Sequence, residues 1–326
     1  MFSKLLKILA ALLGLAVLVV AGVLCYLKFA LPKAAPAPAL VIHATPELIA
    51  RGRYLANHVA VCIDCHSERD WSRFSAPLVP GTEGRGGESF DHRFGFPGAF
   101  TAKNITPASV GAWTDGELYR AITTGVSRDG HALFPIMPYL NYGHMADEDV
   151  RAIIAYIRTL APINHAVPPS RADFPVNFLV NTMPAPAAPQ PLPDPADTVA
   201  QGRYLVTVAG CAMCHTREEH GKPVGARLAG GFAFDVGQGH IVRSANLTPD
   251  DTGIKAMTRG EFIARFQHYR DPTNLGPVDM AKGGFQTVMP WSMFAGMTDA
   301  DLGAIYDYLR TVPPVPNVVE RWSTAH

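Results

Sequence analysis

Cys62-Ile63-Asp64-Cys65-His66 and Cys211-Ala212-Met213-Cys214-His215 are two copies of one pentapeptide, Cys-X-X-Cys-His. This is the attachment signature of a c-type haem, in which two thiols become thioethers and the following histidine becomes the proximal iron ligand. A zinc knuckle or a thioredoxin-like redox pair also uses Cys-X-X-Cys, but neither requires a histidine directly after the second cysteine. Four of the five cysteines lie in the two motifs, and the fifth, Cys25, lies in an apolar N-terminal run, so no pair remains for a disulfide.

Working outward from the motifs, the two halves of the chain align. Gly52-Arg53-Tyr54-Leu55 matches Gly202-Arg203-Tyr204-Leu205, and Asn104-Ile105-Thr106-Pro107 matches Asn246-Leu247-Thr248-Pro249. Thr114 to Glu117 matches Thr258 to Glu261, Met137-Pro138-Tyr139 matches Met289-Pro290-Trp291, and Ala155 to Thr159 matches Asp307 to Thr311. Constant order at an offset near 150 residues is the mark of one duplicated domain. The expected fold is mostly α: two tandem cytochrome c-type helical domains behind one N-terminal transmembrane helix. The divisions are 1–45 (anchor or signal, with a short tether), 46–163 (first domain), 164–196 (Pro/Ala-rich linker) and 197–326 (second domain). The linker reads either as an extended connector or as a strap packed along one domain.

Within each copy, Thr114 with Glu117 and Thr258 with Glu261 predict capping boxes that open a middle helix. Apolar spacing at Val150, Ile153, Ile154 and Ile157, and at Leu302, Ile305, Tyr306 and Leu309, predicts a last helix stopped by Pro162 or Pro313. Thr298 with Asp301 predicts the start of the second of these.

Each iron needs a second axial ligand. Met137 and Met289 hold matching places, each followed by proline, 71 residues after His66 and 74 after His215. A thioether ligand raises the potential and suits electron transfer. Met145 and Met297 also match each other but stand where an apolar staple residue is expected. Met280, Met293 and His131 have no counterpart in the other copy. His58, His92, His144, His220, His240 and His268 read as surface or loop residues. Asn104, Trp113, Arg53 and Arg203 read either as propionate contacts or as ordinary folding residues.

Composition bounds the rest. Lys plus Arg equals Asp plus Glu at 28 each, so no net field points to nucleic acid. Ile8 to Leu27 is uncharged, and its 20 residues reach about 30 Å as a helix, enough to span a bilayer. Its length and its ending at Cys25-Tyr26-Leu27-Lys28 favour an uncleaved anchor over a cleaved signal peptide. Either one exports the remainder of the chain.

On these motifs, together with Asn246 to Asp250, Thr252-Gly253-Ile254 and Met297-Thr298-Asp299, residues 46–326 resemble a known family. It comprises the dihaem and multihaem cytochrome c subunits of membrane-bound periplasmic alcohol, aldehyde and gluconate dehydrogenases. The best-known members carry three haem motifs, and this chain carries two. The resemblance implies two covalently bound haems c on Cys62, Cys65, Cys211 and Cys214, with His66 and His215 proximal and Met137 and Met289 distal. It implies an electron carrier rather than an enzyme, located at the bacterial cytoplasmic membrane with its haem domains in the periplasm. Electrons would arrive from a periplasmic dehydrogenase and leave to a soluble cytochrome c, a quinone or a terminal oxidase. The competing readings are a dihaem peroxidase, a thiosulfate-oxidising cytochrome, and a cytochrome c subunit of a terminal oxidase.

Overall fold

The computed structural model describes residues 2–219 and 221–324. Helix α1, Phe2–Phe29, buries none of its residues and meets the rest of the chain only near its C-terminal end. The first half follows with α2 (Pro46–Tyr54), a π-helical turn (Leu55–Val59), α3 (Cys62–Cys65), α4 (Pro107–Val110), α5 (Asp115–Thr124), α6 (Tyr139–Tyr142) and α7 (Asp147–Ile157). A short helix, α8 (Val176–Leu179), precedes the second half. That half contains α9 (Thr198–Val208), α10 (Cys211–Cys214), α11 (Arg259–Gln267), α12 (Trp291–Phe294) and α13 (Asp299–Leu309).

The helix starts follow from their caps. Thr114 and Thr258 each form a complete capping box, their hydroxyls accepting from the amides of Glu117 and Glu261 while those glutamates accept from the threonine amides. Thr298 accepts from the Asp301 amide at 3.1 Å and opens α13. The apolar stripes point inward as their spacing requires: Val150, Ile153, Ile154 and Ile157 are buried on α7, as are Leu302, Ile305 and Leu309 on α13, while Tyr306 is half-buried.

In each half the first long helix crosses the last, α2 against α7 and α9 against α13. Gly52 and Gly202 sit at these crossings. A Cβ on Gly52 would run into the Ala152 carbonyl, and one on Gly202 into the Ala304 carbonyl. The glycine of each Gly-Arg-Tyr-Leu motif is therefore there for close helix approach. Gly52→Ala or Gly202→Ala should cost about 1–3 kcal/mol through overpacking, read as a lowered melting temperature. Gly260→Ala, on the open face of α11 with nothing within 4 Å, should leave it unchanged or raised.

Small β elements, too short to show a periodicity in sequence, complete each half. β1 (Ser89–Phe90), β2 (Gly98–Thr101) and β3 (Arg171–Ala172) form one antiparallel sheet, in the order β1-β2-β3. β4 (Glu218–Glu219) pairs with β5 (Lys222–Pro223), and β6 (Ala233–Asp235), β7 (His240–Arg243) and β8 (Trp322–Thr324) form the third sheet. In both halves the chain beyond the last helix returns to a strand before the middle helix: Ala172 lies opposite Gly98, and Trp322 opposite Val242.

Residues 164–196 run along the first half. Besides β3, the Ala188 amide donates to the Gly143 carbonyl at 2.8 Å, and the Asn104 side-chain amide donates to the His165 carbonyl at 3.4 Å.

The two halves share one apolar core, and their polar contacts are reciprocal. The Tyr54 hydroxyl donates to the Asp301 carboxylate and accepts from the Thr298 amide at 3.2 Å. The Tyr204 hydroxyl donates to the Asp149 carboxylate at 2.7 Å and accepts from the Ala146 amide at 3.2 Å. Asp149 and Asp301 each stand third in their helix, so each half's first helix reaches into the start of the other half's last helix.

Candidate haem sites

Each Cys-X-X-Cys-His motif forms a single helical turn entered from a left-handed residue, Val61 at φ 45° and Gly210 at φ 65°. The approach differs between halves. Eight positions separate Tyr54 from Cys62, but seven separate Tyr204 from Cys211. The π-helical turn takes up the extra residue: the Ala60 amide donates to the Leu55 carbonyl, five residues back, at 2.8 Å. The corresponding Ala209 amide donates to Leu205, four residues back, also at 2.8 Å.

His66 Nδ1 lies 2.6 Å from the Lys103 carbonyl oxygen, and His215 Nδ1 lies 2.8 Å from that of Ala245. A carbonyl can only accept, so Nδ1 carries the proton in both rings and Nε2 keeps its lone pair. Burial holds both imidazoles below the usual histidine range, His215 at about 4, so both are neutral at pH 7. A neutral imidazole with its outer nitrogen locked to a carbonyl is the state that ligates iron.

Lys103 and Ala245 directly precede Asn104 and Asn246, which explains the repeated Asn-X-Thr-Pro. The Asn104 side chain accepts from the Thr106 amide at 2.9 Å and hydroxyl at 2.7 Å, and donates to Ile163. Asn246 accepts from Thr248 in the same way and donates to the Val315 carbonyl at 2.8 Å. These asparagines are buried clips that hold the carbonyl strand against the histidine, and their hydrogen-bonding groups are already engaged. The sequence repeat marked the positions, but the histidine lock itself was visible only in three dimensions.

No disulfide joins any of the four motif cysteines. Burial pushes the thiols of Cys62, Cys65 and Cys211 up to about 12, which keeps them protonated and neutral at pH 7. A thioether is likewise neutral and suits the same apolar surroundings. Zinc would need these sulfurs as thiolates together with further ligands. Among the described residues, no three His, Cys, Asp or Glu side chains converge on one point as a bare metal ion requires. The donor set therefore fits a haem held through its edge and one axial histidine.

Met137 and Met289 are half-buried, packed on the rim of the common core together with Cys62 and Cys211. Their settings match: the Met137 carbonyl accepts from Tyr139 at 2.7 Å and that of Met289 from Trp291 at 2.8 Å, turning the chain into α6 and α12. Met145 and Met297 are core residues with 1% and 2% of their surface exposed, and Met293 is buried beside them. His131 is exposed and sits 2.9 Å from Asp129. His92, His144 and His268 lie at the surface, and His240 stacks on Trp322. His58 differs from the surface position expected: it is half-buried on the π-helical turn, its Nδ1 2.8 Å from the Met293 carbonyl of the other half. His220 lies outside the described residues.

One difference between the sites escaped sequence reading. Asp64, inside the first motif, is buried and ion-paired to Arg69 at 2.7 Å. Arg69 also lies 3.4 Å from Glu88 and 4.4 Å over the Trp71 ring, whose indole donates to Glu88 at 3.0 Å. The second motif has the exposed Met213 in the place of Asp64.

Residues 199–313 match the cytochrome c family. They are a cytochrome c domain. Domains of this family carry covalently bound haem c. The relatives extend the likeness over most of the chain. The cytochrome c subunit of a quinone alcohol dehydrogenase from Gluconacetobacter polyoxogenes is 28% identical over 294 residues, 84% of this chain and 58% of the relative. The cytochrome subunit of fructose dehydrogenase from Gluconobacter japonicus is 30% identical over 280 residues, 81% of this chain and 52% of the relative. A diheme cytochrome c-type protein of Cereibacter sphaeroides is 29% identical over 265 residues, 78% of this chain and 82% of the relative. The chain thus resembles cytochrome c subunits of dehydrogenases, as its motifs implied, while spanning little more than half the length of the first two.

Proposed function

We propose that the chain is a membrane-anchored dihaem c-type cytochrome that passes electrons from a periplasmic dehydrogenase to a respiratory acceptor. In this reading 46–163 and 197–326 are tandem cytochrome c domains derived from one ancestor, 164–196 joins them, and α1 is the anchor. α1 is long and apolar enough to cross a membrane, which a signal sequence would also be. The observation that carries the dihaem reading is the paired lock of His66 and His215, each set by the residue before an Asn-X-Thr-Pro clip. The reciprocal Tyr–Asp contacts support the duplication.

Cys62 and Cys65, and Cys211 and Cys214, would hold the two haems, with His66 and His215 on one face and Met137 and Met289 on the other. The haem supplies one-electron chemistry. The protein's part is to fix the imidazole tautomers and to hold the two halves in one orientation through their shared core. With both axial positions filled by side chains, neither site is open to a substrate, and catalysis belongs to the partner.

Alkaline pyridine treatment of the purified chain should report two haems c per polypeptide. Cys62→Ala with Cys65→Ala should leave one, and a wild-type value of one would end the dihaem reading. Extraction in mild detergent should bring down a dehydrogenase catalytic subunit. Recovery instead with copper-containing oxidase subunits would move the chain to a terminal oxidase.

A further inference from the structure

We propose that residues 174–183 form a second, in-plane membrane contact that seats the first half on the phospholipid surface beside the end of α1. The proposal rests on α1 spanning the bilayer. The uncharged run of α1 ends at Leu27 and Lys28 follows, so the Leu27 carbonyl marks the boundary between hydrocarbon and headgroups. The Asn181 side-chain amide donates to that carbonyl at 3.0 Å. Whatever the tilt of α1, Asn181 therefore lies at the boundary.

The neighbouring geometry agrees. α8 and the 3-10 turn Val180–Thr182 pack against α1. Within α1, Leu24 and Leu27 are the residues partly shielded from solvent, and all others are exposed. Phe174 to Met183 contains no charged residue. Phe174 is 72% exposed and Leu179 is 42% exposed, with the Phe178 ring edge-on to Phe174 at 6.2 Å. Such a run is unfavourable in water and favourable at the headgroup–acyl boundary, where amphipathic segments lie in the plane. Lys28, next to Leu27, and Arg171 supply positive charge suited to lipid phosphates, while Asp173, the acidic residue directly before the run, is paired with His92 at 2.6 Å.

The contact is also tied into the fold. Arg171 and Ala172 pair with Ala99 and Gly98 of β2, so the seat moves with the first half. The stretch after α1 is fixed to the same half, because the Ile42 amide donates to the Asp115 carboxylate at 2.9 Å. The first half is thus the membrane-facing one.

Site-directed spin labelling of the haem-loaded full chain in phospholipid nanodiscs tests this. Labels are placed at native Cys25, and in a Cys25→Ser background at Phe174→Cys, Leu179→Cys and Val318→Cys. Collision with lipid-soluble oxygen is compared with collision with a water-soluble nickel chelate. Cys25, Phe174→Cys and Leu179→Cys should show oxygen-to-nickel ratios several-fold above that of Val318→Cys, a residue 87% exposed in the second half. If Cys25 reads as lipid while both 174 and 179 read as aqueous, the seat is wrong and the anchor stands. If Cys25 itself reads as aqueous, the anchor fails and the seat falls with it.

Discussion

Replacing Met137 or Met289 with alanine is expected to abolish one methionine-to-iron charge-transfer band and lower one midpoint potential. The drop should be on the order of 0.2 V, within the roughly 0.8 V that axial ligands command. Folding should survive, because both side chains sit half-buried on the rim of the core. Met145→Ala and Met297→Ala should do the opposite. These residues are 1% and 2% exposed inside the core, so truncation should cost about 2–5 kcal/mol while both bands persist. Near-infrared absorption and redox titration read the first effect, and thermal melts read the second. A band that vanished with Met145 or Met297 would transfer the ligand assignment to that pair.

The separation of these two methionine pairs shows how far the sequence could be read. Both pairs match across the repeat, and the sequence separated them by context: Met137 and Met289 are each followed by proline, whereas Met145 and Met297 stand at the staple position before the last helix. The structure places Met145 and Met297 in the core at that position. The capping boxes and apolar stripes were legible because they are local: a capping box spans four residues and a stripe one helix. The histidine lock was not, because Lys103 and Ala245 contribute only a backbone carbonyl, which no side-chain pattern records. The π-helical turn left a trace in the unequal spacing from Tyr54 and Tyr204 to their cysteines, but a one-residue difference fits equally well in a loop. The Asp64–Arg69–Glu88 cluster spans residues that are scattered in sequence, and its burial comes from tertiary packing.

Asp149→Ala should destabilise the chain far more than Asp301→Ala, although the two hold the same place in their helices. Asp149 is 1% exposed and takes two bonds from Arg51, each at 2.9 Å, besides the Tyr204 hydroxyl. Removing it strands a guanidinium and a buried phenol, whose ionisation burial already opposes. Losing one partner of such a pair costs about 3 kcal/mol, at the lower end of the range because Arg51 keeps some access to water. Asp301 is half-buried, its carboxylate accepts from no arginine, and besides the Tyr54 hydroxyl it accepts only from the Gln201 side-chain amide at 3.3 Å. The Tyr54 hydroxyl would still accept from Thr298, so the loss should be about 1 kcal/mol. Because the Tyr204–Asp149 bond crosses between the halves, Asp149→Ala should also separate denaturant unfolding into two transitions. Tyr204→Phe isolates that crossing bond, since it leaves Arg51 on Asp149, and should cost about 1 kcal/mol. Equal shifts for the two aspartates would mean that the Arg51 pair, which lies within the first half, adds nothing to the stability of the chain.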